Sequence, residues 1–135
     1  MKIQLKDWEI KNLNFSLLDE NIKRESNSFD LESGNYFSEE KDDNVFGVSF
    51  KLKIHDKLFD LVVEAVFHFE LLDEKVTEEF KLSSFPKVNA PAIAFPYLRA
   101  FVSNFTLQSG LEPVILPSIN FVQLASRNSF EEDLT

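Results

Sequence analysis

The chain has 135 residues, of which 44% are hydrophobic, and this is enough apolar surface for one core of ordinary size. Its 23 acidic and 14 basic residues give a net charge of −9, which opposes binding to nucleic acid and to anionic lipid. The absence of cysteine excludes disulfides, thiolate nucleophiles and thiolate metal sites. We therefore expect a single domain over residues 1–135, with no nucleic-acid partner.

The first 15 residues, MKIQLKDWEIKNLNF, mix apolar and charged side chains at short spacing. They contain no apolar run of the length that a secretory signal needs. No segment of the chain approaches the ~18 uninterrupted apolar residues of a membrane-spanning helix. We expect a cytoplasmic protein with no membrane insertion.

Strand periodicity begins upstream of residue 20. The apolar positions between Ile3 and Leu17 change phase twice, which indicates β-bulges near residues 6–7 and 11–12 or a strand that begins only at Ile10. Phe29 and Leu31 predict a second strand, and the two aromatic residues at 36 and 37 extend its pattern.

Two further strands are predicted with a polar break of a few residues between them. Apolar residues occupy every second position over residues 46–54 and again over residues 59–71. This period of two is typical of strands with one buried face, and the short break predicts an antiparallel hairpin.

The last third of the chain changes to helical signals. Asn89 ahead of Pro91 predicts a helix start, and Pro96 predicts a kink or a second start because it lacks the N–H of the helical ladder. Gly110 is placed to end the helix in a left-handed conformation. A shorter helix is predicted from about Ser118, and FEEDLT follows as an acidic tail. The fold class is therefore α+β, with a four-stranded antiparallel sheet followed by two helices.

The longer helix is apolar on more than one face. At ~100° per residue, Leu98, Phe101 and Phe105 share one face, while Phe95 and Val102 lie on another. A helix that covers one sheet needs a single apolar face, so the second face predicts contact with other copies of the chain. The predicted oligomer interface comprises Leu98, Phe101, Val102 and Phe105. The alternative is a core helix enclosed by its own sheet and the terminal helix.

Two sequence segments carry a family resemblance. NAPAIAFPYLRAFVSNFTLQSG, residues 89–110, is followed by LEPVILPSINF, and AVFHF lies at residues 65–69 in the predicted hairpin. The apolar segment with Phe-Pro-Tyr, an Arg two residues further on and the Pro-rich link to Asn-Phe resembles the SecB family of protein-export chaperones. The resemblance covers nearly the whole chain, and its specific part is residues 89–121.

The resemblance implies an ATP-independent chaperone that needs no cofactor and holds unfolded polypeptides for delivery to the SecA translocation ATPase. It also implies a homotetramer, built as a dimer of dimers with the long helices between two sheets. Family members bind polypeptides in a groove between the second helix and the loop that joins the first two strands. The corresponding residues here are Leu18, Ile22, Phe29, Phe121, Val122 and Leu124.

The resemblance is incomplete at the translocase contact. Leu58 and Asp60 match the family's apolar-x-acidic pair, but Asn12 and Ser16 stand where the first strand of the family has acidic residues. The extended tail that also engages SecA is nearly absent after Phe130. A shortened relative of this kind also fits the SecB-like chaperones dedicated to the antitoxin of a toxin–antitoxin system, and this alternative stays open.

Two other functional classes compete with a chaperone. An enzyme would need a catalytic or metal-binding cluster, but the only histidines, His55 and His68, fall on the polar phase of the hairpin without clustered partners. With three glycines in the chain, no phosphate-binding loop is present. We expect neither catalysis nor a metal site. The remaining alternative is a carrier that encloses a hydrophobic ligand in the Phe-rich interior.

Overall fold

The computed structural model describes residues 2–40, 42–127 and 129–133. Within them, an antiparallel sheet packs one face against a long helix. In chain order the elements are β1 (Ile3–Leu17), β2 (Ser28–Phe37), β3 (Val45–His55), β4 (Phe59–Leu71), α1 (Glu78–Leu82), a π-helical turn (Phe85–Asn89), α2 (Ala90–Gln108), α3 (Phe121–Arg127) and β5 (Ser129–Asp133).

The strand order is β1-β4-β3-β2-β5, and every neighbouring pair is antiparallel. The α+β class, the four predicted strands and the β3–β4 hairpin are confirmed. A fifth strand, which was not predicted, is formed by residues 129–133 and pairs with the outer edge of β2. The expectation of a tail is therefore wrong for residues 130–133, while Leu134 and Thr135 lie outside the described residues. An unpaired edge strand offers backbone donors and acceptors to any extended segment nearby, which accounts for the addition.

The two bulges predicted in β1 are confirmed. The register against β4 shifts between Leu5 and Asp7 and again between Ile10 and Asn12, so β1 is one strand that begins at Ile3. Each shift returns the apolar residues to the same face of the sheet. Trp8 lies on that face and stacks on Phe67 with ring centroids 4.8 Å apart.

The core lies between this face and α2. Alternate residues of β3 and β4 are buried, and Leu98 and Val102 of α2 are fully buried above them. The remaining strand positions form the opposite, largely polar face of the sheet, with side chains such as Lys51 and Glu64. One apolar face and one polar face are what the period of two in the sequence requires.

Helix α2 continues through Pro96, so no second helix starts there. The Pro96 side chain is exposed. The predicted cap at Asn89 is wrong: Asn89 has helical torsion angles and makes no capping hydrogen bond, because the π-helical turn precedes it. The predicted end is confirmed, since α2 stops at Gln108 and Gly110 has a φ of 84°. That left-handed angle favours glycine.

A buried hydroxyl fixes the chain after α2. Thr106 is fully buried, donates to the Val102 carbonyl at 2.9 Å and accepts the N–H of Val114 at 2.9 Å. The segment after Gly110 is thereby held against the helix that it has just left.

The short helices differ most from expectation. Helix α1 was not predicted; Thr77 caps it by accepting the N–H of Phe80 at 3.0 Å, and Phe80 is buried. Helix α3 begins at Phe121 rather than near Ser118.

Candidate functional site

The loop that joins β1 to β2, residues 18–27, crosses one end of the sheet. It must do so because β1 and β2 are separated by β4 and β3. Leu18 donates its N–H to the Leu58 carbonyl at 2.8 Å, and Asn27 accepts the N–H of Lys57 at 2.7 Å. Both ends of the loop are thus attached to the β3–β4 turn.

Arg24 fixes the middle of the loop to the same turn. Its guanidinium donates to both carboxylate oxygens of Asp60, at 2.7 and 3.2 Å, and to the Asp56 carbonyl at 2.9 Å. His55 Nδ1 lies 3.2 Å from Asp60 Oδ1. Hydrogen bonds from Arg24, and then from His55, lower the pKa of the Asp60 carboxyl. Asp60, a predicted translocase contact, is therefore engaged within the chain itself.

Large apolar side chains are exposed around this fixed loop. Ile22 on the loop, Leu58 on the turn and Leu17 at the end of β1 have relative exposures of 50%, 62% and 66%. Leu18 is half-buried, whereas Phe29, at the start of β2, is fully buried. Of the loop-side residues predicted for the groove, Leu18 and Ile22 thus present surface, and Phe29 belongs to the core.

Helix α3 divides its predicted groove residues in the same way. Phe121 and Leu124 are 7% and 2% exposed, and the Phe121 ring lies 5.7 Å from that of Phe95 and 6.2 Å from that of Phe50. Val122 is 67% exposed. The two buried residues attach α3 to the core, which leaves Val122 as the predicted α3 residue that a ligand can touch.

A cleft of about 350 Å³ separates α3 from β2. Its walls are formed by Ser33, Gly34 and Asn35 of β2, by Lys87, and by Leu124 and Ala125 of α3. Asn35 donates its side-chain N–H to the Pro86 carbonyl at 2.6 Å, which fixes β2 to the π-helical turn at the cleft. No local sequence pattern predicts this cleft, because it depends on the tertiary packing of α3 beside β2.

The predicted oligomer residues of α2 also fall into two groups. Leu98 and Val102 are fully buried in the core of their own chain. They therefore have no surface with which to contact a second copy. Phe101 and Phe105 are half-buried, with edge-to-face contacts to Trp8 at 6.1 Å and to Phe15 at 5.5 Å.

The exposed stripe of α2 is a different set. At spacings of four and three residues along the outer side of the helix, it comprises Ile93, Tyr97, Ala100, Asn104 and Leu107.

The two histidines lie on the polar sheet face, as their strand phase predicted. His55 lies between Asp60 and Asp30, whose Oδ2 is 3.6 Å from its Nε2, and His68 Nε2 is 3.6 Å from a carboxylate oxygen of Glu9. Among the residues that the structure describes, no three His, Asp or Glu side chains are grouped as metal ligands. In the same residues, no helix combines the length and apolarity needed to cross a membrane.

The architecture is that of a SecB-like α+β protein. The Mycobacterium tuberculosis SecB-like chaperone Rv1957, solved in complex with a ChAD peptide from the antitoxin HigA1, has the same fold, with a TM-score of 0.67 over 87% of each chain at 17% identity. The family model described as preprotein translocase subunit SecB matches residues 28–132. The chain belongs to the SecB family.

Curated relatives match over shorter segments. Protein-export protein SecB of Jannaschia sp. is 32% identical over 89 residues, which are 61% of this chain and 52% of that protein. The uncharacterized protein MJ0357 of Methanocaldococcus jannaschii is 42% identical over 60 residues, 44% of this chain and 37% of that protein. The chain thus spans about a third to a half of the length of these relatives.

Proposed function

We propose that this protein is an ATP-independent chaperone that binds non-native polypeptides, without catalysis and without a cofactor, in protein export. The observation that carries the proposal is the exposure of large apolar side chains on and beside the β1–β2 loop, which Arg24 holds in place. Exposed apolar surface at a defined position marks a binding surface, and apolar contact accepts many client sequences because it is non-directional. SecB family membership supports the same function.

The contact surface that we propose comprises Leu18 and Ile22 on the loop and Val122 on α3. Phe29, Phe121 and Leu124 support it from below, because they are buried and hold β2 and α3 in position. Strand β2 connects the two parts of this surface, the loop and α3. Its first residue follows the loop, and Ser33 to Asn35 line the cleft with α3.

Suppression of aggregation tests the chaperone function. An unfolded model client diluted into buffer without ATP should stay in solution when the protein is present in tenfold excess. The double variant Ile22→Ser/Val122→Ser should lose most of this protection, because Ile22 is 50% and Val122 67% exposed and both can contact a client. Leu82→Ser is the matched control, since Leu82 is 79% exposed on α1, outside the proposed surface. An absence of suppression by the unaltered protein, or equal losses in all variants, would contradict the proposal.

Delivery of the client to SecA is the export route that Leu58 and Asp60 would serve. Leu58 is exposed, Asp60 is bonded to Arg24, and Ser16 is the β1 partner of Asp60 where the family has an acidic residue. A SecA contact here must therefore form beside an ion pair rather than at a free carboxylate.

A dedicated antitoxin chaperone is the second candidate, and the Mycobacterium tuberculosis complex with an antitoxin peptide favours it. Proteins captured by the chain from the cytoplasm of its own host decide between the two. A set of exported precursors supports general export, whereas one antitoxin supports the dedicated role. A defined lipid or other small molecule released on denaturation, detected by mass spectrometry, would favour a hydrophobic-ligand carrier instead.

We also propose a homotetramer, a dimer of dimers, in which each copy acts as one domain over residues 1–135 in the cytoplasm. The exposed stripe of α2 carries no charged residue, although 27% of the chain is charged. It lies on the helix that packs beside β1, whose outer edge is unpaired among the described strands. A second copy placed on this side covers both features at once.

Light scattering tests the assembly. Four copies of 15.6 kDa give a mass of about 60 kDa, and Tyr97→Glu should reduce it because the charge would be buried in the seam. Leu82→Glu is the control, since Leu82 is exposed elsewhere. A monomer at micromolar concentration, or an unchanged mass for Tyr97→Glu, would remove the proposed seam.

A further inference from the structure

The outer edge of β2 is occupied over only half of its length. Strand β5 pairs with Ser28 to Glu32, which are the first five of the ten residues of β2. In the described ranges, no strand pairs with the outer edge of residues 33–37. The uncovered half begins after Glu32, which pairs with Ser129, the first residue of β5, and its residues 33–35 line the cleft beside α3.

Strand β5 is short and lies at the edge of the sheet. It has five residues and begins two residues after the end of α3. An edge strand can leave a sheet without breaking the pairing of any other two strands. Strands β1 to β4 remain paired with one another in its absence.

Charge also weakens this pairing. Three of the five residues of β5 are acidic, and they lie one strand spacing, about 5 Å, from a segment of β2 that contains Asp30 and Glu32. Lys53 and Lys51, opposite these two residues on β3, offset part of the repulsion. A segment without acidic residues would pair with the same edge at lower electrostatic cost.

We propose that β5 is an internal competitor of the client, and that an extended client segment without acidic residues replaces β5 on β2 and continues along residues 33–37 beside α3. This inference rests on the proposed chaperone function and specifies how the client binds. The presence of β5 shows that the edge accepts an antiparallel strand. Backbone pairing suits varied clients because every residue except proline carries the same donor and acceptor.

Backbone methylation of a probe peptide tests strand pairing directly. The probe is a fluorescent ten-residue peptide of alternating valine and lysine, compared with two forms that are N-methylated at odd or at even positions. Alternate N–H groups of a strand point to opposite edges, so one methylated form loses the donors that face β2 and the other loses only outward donors. We expect one form to bind at least tenfold more weakly in fluorescence anisotropy, and the other within threefold of the parent. Equal binding by all three peptides would overturn strand pairing and leave the chaperone proposal intact.

Proline substitution in β5 tests the competition. The double variant Phe130→Pro/Glu131→Pro removes two adjacent N–H groups of β5. One of the two must face β2, because successive N–H groups point to opposite edges, so the variant should release β5. The parent peptide should then bind about three- to tenfold more tightly. The matched control, Phe130→Ala/Glu131→Ala, keeps both N–H groups and should bind far closer to the unaltered chain. Equal affinity for the proline and alanine pairs would overturn the competitor role. If no peptide binds any form and the protein does not suppress aggregation, the proposed function itself fails.

Discussion

Phe121 was predicted to line the groove, but its ring contacts both the sheet and α2, as a core residue does. Its substitution tests which of the two roles it has. It is 7% exposed and lies within ring-contact distance of Phe50 and Phe95. Removal of a buried phenylalanine side chain costs about 3–5 kcal/mol. The whole chain is expected to be stable by only about 7–20 kcal/mol, at ~0.05–0.15 kcal/mol per residue. Phe121→Ala should therefore remove a large part of the free energy of unfolding.

The loss has a natural upper limit. Helix α3 has seven residues and is too short to persist without packing, so a variant that loses the Phe121 anchor can release α3 as a unit. The loss of unfolding free energy then cannot exceed the free energy that holds α3 against the core. We expect a value near the lower end, about 3 kcal/mol, and faster amide exchange throughout α3.

Urea unfolding followed by circular dichroism measures the effect, and amide exchange locates it. Val122→Ala is the matched control on the same helix, because Val122 is 67% exposed and its truncation should change stability by less than about 0.5 kcal/mol. An unchanged midpoint for Phe121→Ala, together with lost client binding, would refute the reasoning and restore Phe121 to the groove surface.

Two further predictions concern Thr106 and Asp60. Thr106→Val should destabilise the protein by about 1–3 kcal/mol in urea, because it leaves the N–H of the half-buried Val114 without its acceptor. Thr106→Ser should retain most of the stability, and equal losses for the two variants would show that the hydroxyl is not the cause. The folded-state pKa of Asp60 is lowered, so its stabilising contribution is present above the unfolded pKa of about 4 and is lost as the pH falls through the folded value. Asp60→Asn should therefore be less stable than the unaltered chain at pH 7, by up to about 1 kcal/mol because the carboxyl is partly exposed. This difference should shrink as the pH falls below the unfolded pKa of about 4. A difference that does not vary with pH would contradict this assignment.

The strands could be predicted from the sequence because their periodicity is set by local geometry. Even the two bulges of β1 follow from the phase changes after Leu5 and Ile10, since a strand with one buried face must restore its phase. Gly110 likewise ended α2 where its left-handed preference indicated.

The faces of α2 could not be predicted in the same way. Leu98 and Tyr97 are both apolar enough for an interface, and only the position of the sheet decides that Leu98 is buried and Tyr97 exposed. Arg24 and Asp60 are 36 residues apart, and their bond depends on the path of the β1–β2 loop. Strand β5 was missed because acidic residues are poor strand formers, whereas an open edge accepts any backbone.

The position of β1 in the sheet determines when it can fold. Its partner is β4, so residues 3–17 are synthesised before the residues 59–71 with which they pair. The β2–β3 and β3–β4 hairpins can close through short loops, but β1 must wait for an acceptor strand about fifty residues downstream. A nascent chain of this protein therefore carries an unpaired amphipathic segment until β4 has been synthesised. In that interval it resembles the polypeptides that we propose it binds when mature.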